Sequence, residues 1–62
     1  MRVKVEQCWA GGDRYNFRFT LPDGKRESLP GYKWGRDVAS RALDLLEHVY
    51  GLTRRNIRFD VR

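Results

Sequence analysis

The residues Arg14-Tyr15-Asn16-Phe17-Arg18-Phe19-Thr20-Leu21-Pro22-Asp23-Gly24-Lys25-Arg26-Glu27-Ser28-Leu29 decide the fold of this chain. From Arg14 to Thr20 the side chains alternate. Tyr15, Phe17 and Phe19 share one face; Arg14, Asn16, Arg18 and Thr20 share the other. A period of two with aromatic residues on one side predicts a half-buried strand. Leu21-Pro22-Asp23-Gly24 then predicts a tight hairpin, because proline presets φ at the first turn position, aspartate tolerates the second and glycine takes positive φ. Lys25 to Leu29 follows as a short return strand.

Outward from this hairpin the pattern continues on both sides. Arg2 to Cys8 alternates, with Val3 and Val5 against Arg2, Lys4 and Glu6. Gly11-Gly12-Asp13 separates it from the next strand. From Arg36 to Tyr50 the period changes to 3.6. Val38, Ala42, Leu45, Leu46 and Val49 form an apolar stripe, widened by Ala39, Leu43 and Tyr50, opposite Asp37, Arg41, Asp44 and His48. Asp37 suits the positive start of a helix, and Gly51 suits a left-handed stop with Leu52 folding back on the last turn. Asn56 to Arg62 alternates again, with Ile57, Phe59 and Val61 inward.

The order is βββαβ, which predicts an α+β fold: a single antiparallel-rich sheet of three to four strands packed on one helix. The expected inner set is Val3, Val5, Tyr15, Phe17, Phe19, Leu29, Ile57, Phe59 and Val61, with Trp34 stapling the helix start. A right-handed crossover through the helix would lay the last strand parallel to the first, in sheet order 3-2-1-4.

A chain of 62 residues is expected to form one small domain, residues 1–62, with a thin core and little room for an enclosed active site, so that any pocket would be a surface groove. Hydrophobic residues at 40% and charged ones at 34% exclude a disordered polyelectrolyte and a membrane-spanning chain. One cysteine excludes an intramolecular disulfide, and no signal-peptide pattern opens the sequence, so a cytoplasmic location is expected. Cys8, at the end of a strand, reads as an inert buried thiol, and His48 as a solvated helix residue. They supply no nucleophile with a base and an orienting partner, so no enzyme is expected. No spacing suggests a metal site, and no cofactor is implied.

Charge carries the functional signal. Thirteen basic residues against eight acidic ones leave +5. The alternation assigns Arg2, Lys4, Glu6, Arg14, Asn16, Arg18, Thr20, Arg26, Ser28, Arg58, Asp60 and Arg62 to the open face of the sheet. Seven are basic and two acidic, so this face holds the whole excess. Like charges on neighbouring strands repel, so a purely structural face would mix signs. Arginine pairs with phosphates and the guanine edge, asparagine with adenine, and a β-ribbon enters the major groove. The expected partner is nucleic acid, DNA over RNA. Phosphates would be held by Arg2, Lys4, Arg26, Arg58 and Arg62, and base edges met by Arg14, Asn16 and Arg18. Trp9, beside a glycine loop, offers a stacking surface, and Tyr32 and Lys33 offer backbone contacts. The alternatives are a protein-interaction module or inhibitor for an acidic protein, with the last strand open for self-pairing, and an RNA binder using the same face. No membrane partner is expected.

Residues 14–50, from the aromatic strand through Asp23-Gly24-Lys25 and Gly31–Gly35 into the helix at Arg36-Asp37-Val38-Ala39, resemble the arm-type DNA-binding domain of phage tyrosine integrases. They are also similar in outline to the plant AP2-type domain. The resemblance implies a three-stranded sheet backed by one helix, with Arg14, Asn16, Arg18, Lys25 and Arg26 facing DNA and Lys4 and Arg2 matched on the first strand. A fourth strand and no attached recombinase domain set this chain apart. The resemblance thus implies a free-standing accessory or regulatory factor of a phage or mobile element, or an excised fragment.

Overall fold

The computed structural model describes residues 1–62. Four strands, β1 (Arg2–Gly11), β2 (Arg14–Thr20), β3 (Arg26–Gly31) and β4 (Arg58–Val61), form one sheet in the order β3-β2-β1-β4. Helix α1 (Arg36–Tyr50) lies on one face, and a 3-10 turn at Arg54–Asn56 leads into β4. β1–β2 and β2–β3 are antiparallel, while β4 runs parallel to β1. The sheet is therefore mixed, in the expected order and with the last strand parallel to the first.

The PDG turn closes as its residues require: the Gly24 amide donates to the Leu21 carbonyl at 2.9 Å and Gly24 sits at φ 91. At the helix end Gly51 takes φ 67, and the Leu52 amide reaches back to the Leu46 carbonyl at 3.2 Å. The Gly35 cap offers no side chain to the helix start.

Val3, Val5, Phe17, Phe19 and Ile57 meet Val38, Ala42 and Leu46 in the core. The helix approaches β3 most closely among the strands. Trp34 spans what the helix leaves uncovered. Its ring meets Phe17 at 5.7 Å, Phe19 at 6.1 Å and Phe59 at 5.2 Å, mostly edge-on, which suits the aromatic quadrupoles.

Several expectations shift in detail. β1 runs on to Gly11, so Trp9 and Ala10 belong to a strand, with a bulge between Trp9 and Gly11. Cys8 is half-buried inside β1 rather than at its end. Leu21, read as a turn residue, is in the core. Val49, placed in the apolar stripe, is 61% exposed, because the helix rests on the Val38, Ala42 and Leu46 ridge. Asp37 pairs with Arg41 one turn along the helix, while Asp44 and Glu47 pair with Arg54, which the chain reversal after Gly51 brings back beside them.

β3 includes Pro30, which a ladder position facing β2 would not tolerate. The amides of Arg58 and Arg62 donate to the carbonyls of Met1 and Val5, so odd-numbered residues of β1 face β4 and even-numbered ones face β2. Carried through the register, this points the backbone groups of Arg26, Ser28 and Pro30 away from the sheet. Pro30 loses no bond there, and its outward carbonyl accepts from the Arg41 guanidinium at 3.0 Å.

Gly31 lies under the helix: a Cβ there would stand 2.8 Å from Val38 Cγ2 and 2.9 Å from Phe17 Cε2. Gly31→Ala is expected to destabilise the chain by about 1–3 kcal/mol through overpacking, measured by urea unfolding. Near the other end of β3 the Tyr50 hydroxyl donates to Glu27 Oε1 at 2.6 Å. That bond holds the phenol above its ordinary pKa of 10.0, assisted by local desolvation and the charges of Glu27 and Asp23. A raised acid pKa stabilises the fold below the unfolded value and ceases to do so as pH climbs through the folded one. The stability gap between the parent chain and Tyr50→Phe should therefore hold at neutral pH and close above about pH 10, by denaturant titration.

Candidate nucleic-acid interface

The sheet face opposite the helix is uncovered. Arg2, Lys4, Glu6, Arg14, Asn16, Arg18, Arg26, Ser28, Arg58 and Arg62 are all exposed on it or half-exposed, as are Asp60 and Thr20. The register arranges them in rows across the strands. Arg2 lies beside Arg58. The next row reads Arg26, Thr20, Lys4, Asp60. Then come Ser28, Arg18 and Glu6, and after them Pro30, Asn16 and Cys8. Arg14 closes the far end, its guanidinium 5.6 Å from the centre of the Tyr32 ring.

Ion pairs decide which of these charges are free. Glu6 lies 3.9 Å from the Arg18 guanidinium, and Asp60 lies 3.2 Å from that of Arg62. Both acids of the face are thus engaged, and Arg2, Lys4, Arg14, Arg26 and Arg58 have no ion-pair partner. Four of these five, all but Arg14, gather at the end where β4 joins the sheet. The remaining unpaired cations, Lys33, Arg36 and Arg55, lie off the sheet.

Of the nine residues expected at the site, eight stand on this face. Lys25 does not. Its ammonium pairs with Asp23 at 3.8 Å and lies 5.6 Å over the Tyr50 ring, on the helix side of the hairpin. The cause is the turn: Lys25 closes the hairpin with its carbonyl on the Leu21 amide before β3 begins. Trp9, though 68% exposed, sits directly across from Tyr15 and shares the helix side of the sheet, where its indole donates to the Gly12 carbonyl at 2.8 Å. It turns away from the basic face. Tyr32, 60% exposed, joins this face through Arg14, a contact that extending the β3 alternation past Pro30 would have located.

A groove of about 900 Å3 opens at the Arg14 end, between Ala10, Arg14 and Asn16 on one side and Tyr32, Lys33 and the first helical residue, Arg36, on the other. No group of three His, Cys, Asp or Glu side chains is placed to hold a metal ion. No helix is long and apolar enough to cross a membrane.

The Arg18–Glu6 pair is half-exposed on both sides and worth at most about 1 kcal/mol. Glu6→Gln should leave the unfolding midpoint in urea almost unchanged while freeing Arg18. Comparison with protein-family models, with curated proteins and with solved structures finds no match to this chain.

Proposed function

We propose that the protein binds duplex DNA through the open face of its sheet, as a small accessory or regulatory factor of the kind its resemblance to integrase arm-type domains suggests. The observation that carries this reading is that five cations without partners share one uncovered surface, while both carboxylates on it are engaged. Such a surface is costly to keep in water and stabilised by a polyanion.

The outline of the sheet supports a division of labour. Strands lie about 4.8 Å apart, so three strands span roughly 10 Å between outer axes and four span roughly 14 Å. The major groove is about 12 Å wide. β4 pairs only with Arg2–Val5, so the part of the sheet bearing Arg14, Asn16 and Arg18 has three strands. That part fits the groove. The four-stranded part is too wide to enter and carries Arg26 and Arg58 on its outermost strands, where they meet phosphates on either side. Along β2, alternate residues recur at about 6.7 Å, close to two base-pair steps, so Arg14, Asn16 and Arg18 meet every second pair. The deep, narrow major groove of A-form RNA does not admit a sheet, which favours DNA.

Binding to a random-sequence duplex should weaken with salt with a log–log slope of about −3.5, one phosphate for each of Arg2, Lys4, Arg26 and Arg58. Lys4→Ala or Arg26→Ala should reduce that slope by about 1, uniformly across sequences. Asn16→Ala should leave the slope unchanged and cost about 1–3 kcal/mol only on preferred sequences. Glu6→Gln should tighten binding. Fluorescence anisotropy on labelled duplexes reads all four. Affinity that is flat between low and moderate salt, or equal for duplex DNA and duplex RNA, would remove the reading.

A further inference from the structure

The sheet has two outer edges, and they are not alike. On β3 the outward groups include Pro30, which has no N–H, and its carbonyl is held by Arg41. β4 has no such guard. Its even-numbered residues bond to β1, so Phe59 and Val61 direct both N–H and C=O away from the sheet, and the Ile57 carbonyl points the same way. No side-chain hydrogen bond of the protein reaches these groups.

The sequence of this edge is self-complementary in one register. Ile57, Phe59 and Val61 face the helix side; Arg58, Asp60 and Arg62 face the open side. Antiparallel pairing of two such strands about a two-fold axis at Phe59 sets Arg58 against Asp60 of the second copy and Asp60 against its Arg58. Ile57 meets Val61 and Phe59 meets Phe59. Moving the axis by one residue either way opposes like charges: Asp60 on Asp60 and Arg58 on Arg62, or Arg58 on Arg58. Of these three registers only the Phe59-centred one joins opposite charges, and opposite charges directly across a sheet stabilise it where like charges do not. The same register satisfies the free backbone groups. The two Phe59 residues exchange two hydrogen bonds, and each Val61 N–H donates to the Ile57 carbonyl opposite.

We propose that the protein forms a two-fold homodimer through β4, with strand order β3-β2-β1-β4-β4-β1-β2-β3. The occupant is a second copy of this chain, because the charges of the edge complement themselves. The axis is perpendicular to the sheet, so both basic faces point the same way. The dimer does not rest on the DNA-binding reading, although it shares Arg58 with it: across the seam Arg58 answers Asp60 of the second copy, and the solution mass reports dimerisation whether or not DNA binds. The other open stretch, β1 beyond the end of β4, offers only Gln7 and Trp9 before the bulge.

The test is the solution mass of the full chain by sedimentation, with folding checked by circular dichroism. The parent chain is expected to dimerise. Arg58→Asp and Asp60→Arg should each weaken dimerisation at least roughly tenfold, because each places like charges across the seam twice. An equimolar mixture of the two variants should dimerise again, since both carboxylates of the first variant's edge then face guanidinium groups of the second. Val61→Pro removes an outward N–H without touching the ladder to β1 and should also yield monomers. A parent chain that stays monomeric to about millimolar concentration, a dimer indifferent to Asp60→Arg and Val61→Pro, or a mixture that remains monomeric would each overturn the proposal.

Discussion

Everything in this molecule depends on the packing of Phe17 and Phe19 under Trp34 and the helix. The two rings are almost fully buried, and with Val3 and Val5 they fix which side of β1 and β2 turns inward. A slip of one residue would bury Arg18 and expose both phenylalanines, so the register is not negotiable. Once it is set, the location of nearly every charge follows. The crowded guanidinium groups are the geometric remainder of a core that admits only apolar side chains.

One helix does not cover four strands, and the way the protein resolves this shapes both faces. The helix rides over β3, and Trp34 reaches across to Phe59 on β4. A large ring at the helix entry thus does what a second helix does in larger α+β proteins. β4 itself is short, so the open face is broad at one end and narrow at the other. The division between phosphate contacts and base contacts proposed above grows out of this unequal outline rather than out of the charges alone.

Most of the architecture was legible because alternation and the 3.6 period are local signals. Strand order, the parallel last strand and the left-handed stop at Gly51 all followed from them. What was not legible depended on where the chain returns. Pro30 reads as a strand breaker until the register shows that its missing N–H would point outward. Leu21 reads as turn until the hairpin closes over the core. Val49 fits the helix stripe but lies off the ridge that meets the sheet. Lys25 shares the sign of its neighbours, and only the turn geometry reveals that its ammonium faces Tyr50. At the interface, composition gives the sum of charges but not their pairing. That Glu6 occupies Arg18 and Asp60 occupies Arg62 depends on cross-strand and along-strand distances no pattern encodes.

The proline on β3 has one more consequence. A two-sided sheet with both borders able to accept a strand can add copies without limit, and the product is a ribbon or a fibre. Here the ring nitrogen of Pro30, together with the arginine seated on its carbonyl, seals one border. Whatever joins at the opposite border therefore finds no second place to continue, and growth stops after one step. A single imino acid, tolerated because it points outward, sets a ceiling on the size of any assembly built by strand addition.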